Sequence, residues 1–543
     1  MSTENRTQAA ASAAAQSHGQ SAGESHTHAH VPTWAVLAIA CVAQFMVVLD
    51  ISIVNVALPS IAKPVSAHGL GLDRNQLQWI VNAYALTFAG FLLFGGRAGD
   101  LFGRKRIFLV GLGIFTAASL VGGFSQNAAM IEISRAVQGL GGGILAPSTL
   151  SLLTTTYTDH RARARALGIW SATAGSGGAF GALAGGVLTD LVSWRWVLFV
   201  NVPIGVLLFT AAVMALRESR GQVRNIWGLD IPGTITVTGG LAVLVYAIVS
   251  TNVHPWGSAR TLVTLAIGLA LLVSFVVIEK FSSQPLVPLR IFRMRALSSA
   301  NGIAVAVGAA MFTMFFFLSL YMQDVLGYSP LVAGFAFLPG AALIIAGATI
   351  SSKLVSHVGP RRLLVIGGVM SAVALWWFAR LPSSGNYAVH VLAPLVIVCF
   401  GMGMSMVPMT VAATSGVARN EAGLASGLLN TTRQVGGALG LAALATIATD
   451  HTNTLLAKHQ QVAAATTSGF DRAFVVAGFI SLVGALLALT LPSRATHVAA
   501  VEQSAREHAG PATAGGTTDE VGGTADDADI ADLANAEAQP SRE

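Results

Sequence analysis

Apolar residues in this chain fall in long unbroken runs rather than in alternation. Windows at approximately 34–57, 77–96, 107–126, 129–153, 164–189, 196–216, 229–250, 261–279, 298–322, 331–351, 362–380, 387–410, 424–448 and 473–491 each come close to the ~20 residues that cross ~30 Å of hydrocarbon. Fourteen spanning helices are therefore expected, separated by short segments rich in glycine, arginine and proline. Residues 1–32 and 493–543 carry no such run. Their Ala, Ser, Gly, His and acidic content predicts disordered tails.

Composition agrees with an all-α polytopic membrane protein: 53% of the 543 residues are hydrophobic and 10% are charged, against ~25% charged in an average soluble domain. The net charge of +6 would suit a nucleic-acid binder, but its placement argues otherwise. If the amino terminus is cytoplasmic, Arg97, Arg104, Lys105, Arg106, Arg161, Arg163, Arg165, Arg217, Arg220, Arg224, Lys280, Arg290, Arg293, Arg295, Lys353, Arg361, Arg362 and Arg419 fall on inner loops. The outer loops keep Lys63, Arg74, Arg195, Arg260, Arg380, Lys458 and Arg472. This is the positive-inside pattern of a cytoplasmic membrane protein with both termini inside, and nucleic acid is not expected as a partner. No cleavable signal precedes the first window, which is expected to act as its own insertion signal. Cys41 and Cys399 read as small core residues. His26, His28 and His30 lack partnering ligands, so no metal or cofactor is assigned.

The turns "GGRAGDLFGRKR" (95–106) and "SSKLVSHVGPRR" (351–362) align on Gly103 and Gly359, eight spans apart. Two homologous halves are expected, a six-helix bundle over 33–217 and another over 298–492, with two inserted helices in 218–297. Internal repeats around a central site are the plan of alternating-access carriers. The repeat is imperfect, because Asp100 aligns with Ser356.

Several residues stand out chemically. Asp50 lies within the first span, in "LDISIVNVALP", and intramembrane acids are costly and usually functional. Arg135, in "IEISRAVQGLGGG", is either a snorkelling arginine or a partner for an acid, with Gln138 on an adjacent face and Glu132 reading as a helix-start acid. Arg433, about nine residues into the thirteenth span, needs a partner or a wet cavity, as a cavity or interdomain residue or as a structural pair. Gly177, Gly181 and Gly185, spaced by four and followed by Gly186, make one small-residue face in the fifth span. In the loop after the second span, Gly96, Gly99 and Gly103 permit close approach, and Asp100 stands four residues before Arg104. Met402, Met404, Met406 and Met409, and the run "MFFF" at 314–317, are read as core, since one helix cannot turn all four methionines to a cavity.

These stretches resemble motifs of the major facilitator superfamily, and in particular its fourteen-helix drug:proton antiporters. The likeness covers about residues 34–491. The loop at 96–106 is similar to the superfamily's signature loop, with Gly96, Asp100, Gly103, Arg104 and Lys105 in place and Leu101 where arginine is common. That resemblance implies a cytoplasmic gate. "GSGGAFGALAGGVLTD" resembles the antiporter motif, with Ala182 in place of a frequent proline. The first-span stretch resembles a family motif with Asp50, Asn55, Ala57, Leu58 and Pro59 matching and Ser52 in place of threonine. "SWRWVLFVNVPIG" (193–205) also looks like the fourteen-helix branch. By resemblance Arg135 takes part in proton transfer.

With no GxxxxGK[ST], no nucleophile and no zinc or redox set, neither a built-in ATPase nor an enzyme is expected. The expected function is proton-driven efflux of drugs, antibiotics or similar amphipathic compounds, with no ATPase subunit required. A nutrient symporter or facilitator on the same fold is the first alternative, and a transport-inactive sensor or scaffold the second.

Overall fold

A computed structural model describes residues 33–157, 159–216, 230–251, 254–282, 285–415, 417 and 422–491, without the side chains of 100, 160, 161, 164, 171, 172, 174–176, 179, 422 and 423. The tails, Arg217, Arg220, Arg224 and Arg419 lie outside the described residues.

Fourteen long helices run in chain order among the described residues. The first six are α1 Thr33–Ala62, α2 Arg74–Phe102, α3 Arg104–Gly123, α4 Ala128–Thr156, α5 His160–Leu191 and α6 Trp196–Ala215. Next come α7 Ile231–Ser250, α8 Ala259–Phe281, α9 Arg295–Leu320 and α10 Pro330–Val358. The last four are α11 Pro360–Phe378, α12 Ala393–Thr414, α13 Ala422–Ala457 and α14 Val462–Ala488. Twelve of the described helices are long and apolar enough to cross a membrane, and α5 and α13, of 32 and 36 residues, stand among them in the same array.

Helix ends follow local chemistry more than hydropathy. Asp73 and Gln76 form a reciprocal capping box at the start of α2 (2.8 and 3.0 Å), and Asn127 caps Met130 N–H at the start of α4 (2.9 Å). Between α2 and α3 the chain turns on Gly103 at φ 101°, and between α10 and α11 on Gly359 at φ 84°. Both angles suit glycine alone, and Pro360 then opens α11 at a position where no amide donor is needed. The turn places Asp100 in the last turn of α2 and Arg104 at the start of α3.

Packing repeats with an offset of eight helices. Helix α1 packs along α5, α2 along α4, and α3 along α4; α9 packs along α13, α10 along α12, and α11 along α12 in the same way. The halves meet where α2 lies on α13 and α5 on α10, two contacts that exchange under the same offset. The inserted pair attaches through α7, which packs against both α2 and α13, while α8 packs chiefly on α7 and presents Leu262, Ile267, Val273 and Val277 outward. At the end opposite the basic loops, Ser319 Oγ donates to Asn55 O (2.8 Å), Gln323 Nε2 to Val56 O (2.9 Å) and Arg74 to Thr466 (3.0 Å), joining the halves there.

Several contacts are made backbone to backbone. A Cβ on Gly308 would lie 2.0 Å from the carbonyl oxygen of Arg433, so α9 and α13 need glycine there. Gly308→Ala should therefore lower the thermal midpoint of detergent-purified protein by several degrees, in line with an overpacking cost of about 1–3 kcal/mol. Gly168→Ala, whose Cβ meets nothing within 4 Å, should leave the midpoint unchanged in the same unfolding assay.

Candidate functional site

Asp50 lies seventeen residues along α1, about 25 Å from its Thr33 end and about 18 Å from Ala62. It is fully buried. Its position is set by α5: Cβ atoms on Gly177, Gly181 and Gly185 would stand 3.1, 2.7 and 2.7 Å from the carbonyl oxygens of Phe45, Leu49 and Ile53. The small-residue face thus lies directly on α1 on either side of Asp50, and Ser52 Oγ fastens it by donating to Gly178 O (2.7 Å). Gly186 faces elsewhere. Its Cβ would meet Pro330 O at 2.6 Å, and that of Gly334 would meet Ala182 O at 2.6 Å, so this pair lets α5 and α10 approach across the two halves.

Around the carboxylate, five helices converge. Arg135 Nη1 on α4 donates to Asp50 Oδ2 at 2.5 Å, a direct ion pair. Asp50 Oδ1 accepts from Gln138 Nε2 (2.7 Å) and from Asn201 Nδ2 on α6 (2.8 Å). Arg135 also donates from Nε to Ile80 O on α2 (3.2 Å) and from Nη1 to Gln138 Oε1 (2.7 Å), and its guanidinium lies 4.3 Å over the ring of Tyr84. Gln138 Nε2 further donates to Ser119 Oγ on α3 (2.7 Å), and Ser119 Oγ to Phe115 O (2.9 Å). None of Asp50, Tyr84, Ser119, Arg135, Gln138 and Asn201 is more than 2% exposed.

The cluster carries one negative and one positive charge, each held by further hydrogen bonds, the condition under which a buried pair persists. Chemically it is a carboxylate held by three side-chain donors, from Arg135, Gln138 and Asn201. Sequence reading found Asp50, Arg135 and Gln138 and missed Asn201, Ser119 and Tyr84. Asn201 could have been found as a polar residue inside the apolar run "LFVNVPIG". Ser119 and Tyr84 carry no comparable signal.

The remaining sequence-chosen residues are spread over other parts of the molecule. Gly96 would meet only Pro147 Cβ, at 3.7 Å, and is not sterically required, whereas Gly103 is required by its φ. Asp100 lies in the last turn of α2 and its side chain is outside the description. Lys105 Nζ donates to Val213 O (2.7 Å) and Leu216 O (2.6 Å), tying the turn to the carboxyl end of α6 within its own half. Arg433 lies on α13 of the other half, with Asn430 and Met406 as hydrogen-bond partners. Met402, Met404 and Met409 are buried, as are Phe316 and Phe317.

A family model described as Major Facilitator Superfamily matches residues 40–441. The cephamycin export protein CmcT of Amycolatopsis lactamdurans is 42% identical over 465 residues, 84% of this chain and 92% of the relative. The puromycin resistance protein pur8 of Streptomyces alboniger is 37% identical over 458 residues, 84% of this chain and 89% of the relative. A crystal structure of the peptide transporter POT with sulfate superposes with a TM-score of 0.62 at 17% identity, covering 84% of this chain and 93% of that one, a likeness of fold.

Because Asp50 and Arg135 are buried together, deleting one strands the other. Asp50→Leu should lower unfolding stability by about 3–5 kcal/mol, and the double variant Asp50→Leu/Arg135→Leu should recover most of that loss. Tryptophan-monitored unfolding in detergent measures both. A double variant no more stable than the single would show that the pair is not what the cluster relies on.

Proposed function

The chain belongs to the major facilitator superfamily, a multi-pass membrane transporter and not an enzyme, and from that premise we propose that it is a proton-driven efflux antiporter. The cargo is antibiotics or similar amphipathic compounds, carried across the cytoplasmic membrane by alternating access, with both termini in the cytoplasm. The observation that carries this reading is the sealed cluster of Asp50, Arg135, Gln138 and Asn201, pressed against the glycine face of α5. The related cephamycin export protein and puromycin resistance protein support the direction and kind of cargo.

In the proposed cycle the carboxylate of Asp50 is charged while Arg135 holds it. As the halves rock, α1 shifts within its own half and Asp50 parts from Arg135, which keeps its contacts with Ile80 O and the Tyr84 ring. Asp50 then takes a proton from the outer side, since an isolated charge in hydrocarbon is costly. Return of Asp50 to Arg135 expels the proton inward. The proton gradient supplies about 2.3 kcal/mol per 100 mV and about 1.4 kcal/mol per pH unit, enough to drive the exchange. Hydrogen bonds between the halves at Asn55, Val56 and Arg74 support a form closed at the end opposite the basic loops. Asp100, with Gly96, Gly103, Arg104 and Lys105, is assigned to the cytoplasmic gate, where Lys105 anchors the turn to α6.

The reading is tested in everted vesicles with an acid interior reported by a quenched amine dye. Adding cephamycin or puromycin should dequench the dye as protons leave in exchange, and Asp50→Asn should abolish the response while protein remains in the membrane. Deeper quenching on addition would have the sign of symport and would sink the antiport reading. Asp100→Ala should slow turnover by tenfold or more with little change in half-saturating substrate, whereas normal turnover would remove Asp100 from the gate.

A further inference from the structure

Among the described residues, the second half carries an arginine, Arg433, with no acid paired to it as Asp50 is to Arg135. Arg433 lies eleven residues past Ala422 on α13, about 16 Å into the helix. Its Nη2 donates to Asn430 Oδ1 at 2.7 Å and its Nη1 approaches Met406 Sδ at 3.2 Å. Both partners are neutral, and Asp50 is already committed to Arg135. Arg433 is also incompletely buried.

Helix α13 is enclosed by α9, α14, α2, α7 and α12, and the close approach of Gly308 to the Arg433 carbonyl fixes its rotation against α9. On the seam between α12 and α13, Met406 and Asn430 are likewise only partly buried and Thr410 is exposed. The groups on this seam that are not fully buried are a guanidinium, an amide, a hydroxyl and a thioether. Asn430, one turn earlier on the same helix, orients the guanidinium and leaves donors of the fork free to bind in pairs. Such a fork is shaped for a carboxylate, and Met406 offers an adaptable apolar surface beside it.

We propose that Arg433, oriented by Asn430, is the anion-binding subsite for exported compounds that carry a carboxylate, with Met406 against the apolar body. The inference rests on the export reading and narrows it to amphipathic carboxylates among its cargo.

The test uses purified full-length protein and two matched fluorophores, 1-pyrenebutyrate and the uncharged 1-pyrenebutanol, with binding read by energy transfer from tryptophan to pyrene. Wild type should bind the carboxylate at least tenfold more tightly than the alcohol. Arg433→Gln should remove that preference by weakening the carboxylate alone, and Arg433→Lys, which keeps the charge, should retain part of it. Equal affinity of wild type for the two probes overturns the proposal, and so does an undiminished preference in Arg433→Gln. The wild-type comparison stands even if a variant fails to fold. Vesicle export separates this outcome from failure of the wider reading. A protein that exports puromycin yet shows no carboxylate preference loses the subsite and keeps the efflux function; one that exports nothing loses the function.

Discussion

A carboxylate placed in hydrocarbon must be neutralised or solvated, and the way Asp50 is neutralised organises the first half of the molecule. Its ion pair with Arg135 brings α1 and α4 together, and Gln138 and Asn201 both donate to its other carboxylate oxygen. Tyr84, Ile80 and Ser119 then hold the arginine and glutamine in place from α2 and α3. None of this is reachable unless α1 sits very close to α5, which the glycines at 177, 181 and 185 permit. In a medium without competing water such a pair is strong, but it is also intolerant of losing either member. The glycine face and the charged cluster are consequently one device: the first sets the height and rotation of α1, the second uses the position so obtained.

The two halves share a packing scheme without sharing its chemistry. Gly103 and Gly359 make equivalent turns, and the helix pairs of one half recur in the other at an offset of eight. Yet α12, the counterpart of α4, presents buried Met402, Met404 and Met409 in place of an ion pair. The first half holds a balanced pair deep in its interior, and the second holds an arginine with neutral neighbours at an internal seam. This division gives the proposed exporter separate places for the coupling ion and for cargo, related through halves that meet at α2 with α13 and α5 with α10.

How far the sequence could be read depended on the rarity of each feature. Long apolar runs are rare outside membranes, so the spans were legible, but hydropathy marks hydrocarbon rather than helix ends. The window at 473–491 corresponds to a helix that begins at Val462, because its polar first turns, including "TTSGFDR", remain helical beyond the apolar stretch. Asp50 and Arg135 were legible because charges inside spans are scarce. Ser119 was not, because serine is common in such helices and often donates to its own backbone, as it also does here to Phe115. The four-residue spacing of Asp100 and Arg104 spans the break at Gly103, where α2 ends and α3 begins.

The sequence by itself marked the long apolar runs, the repeat, Asp50 and Arg135 within the spans of the first half, and the glycine face. Each of these is a local property, fixed by transfer free energy, by spacing along one helix or by the absence of a side chain. Tertiary structure decided which residues meet. Asp50 lies 85 positions from Arg135 and 151 from Asn201, and nothing local relates the rotation of one helix to that of another. That relation comes from side chains and glycines packing across the bundle. It turned a lone acid, an arginine and an unremarked asparagine into one buried cluster, and left Arg433 on a seam with neutral partners.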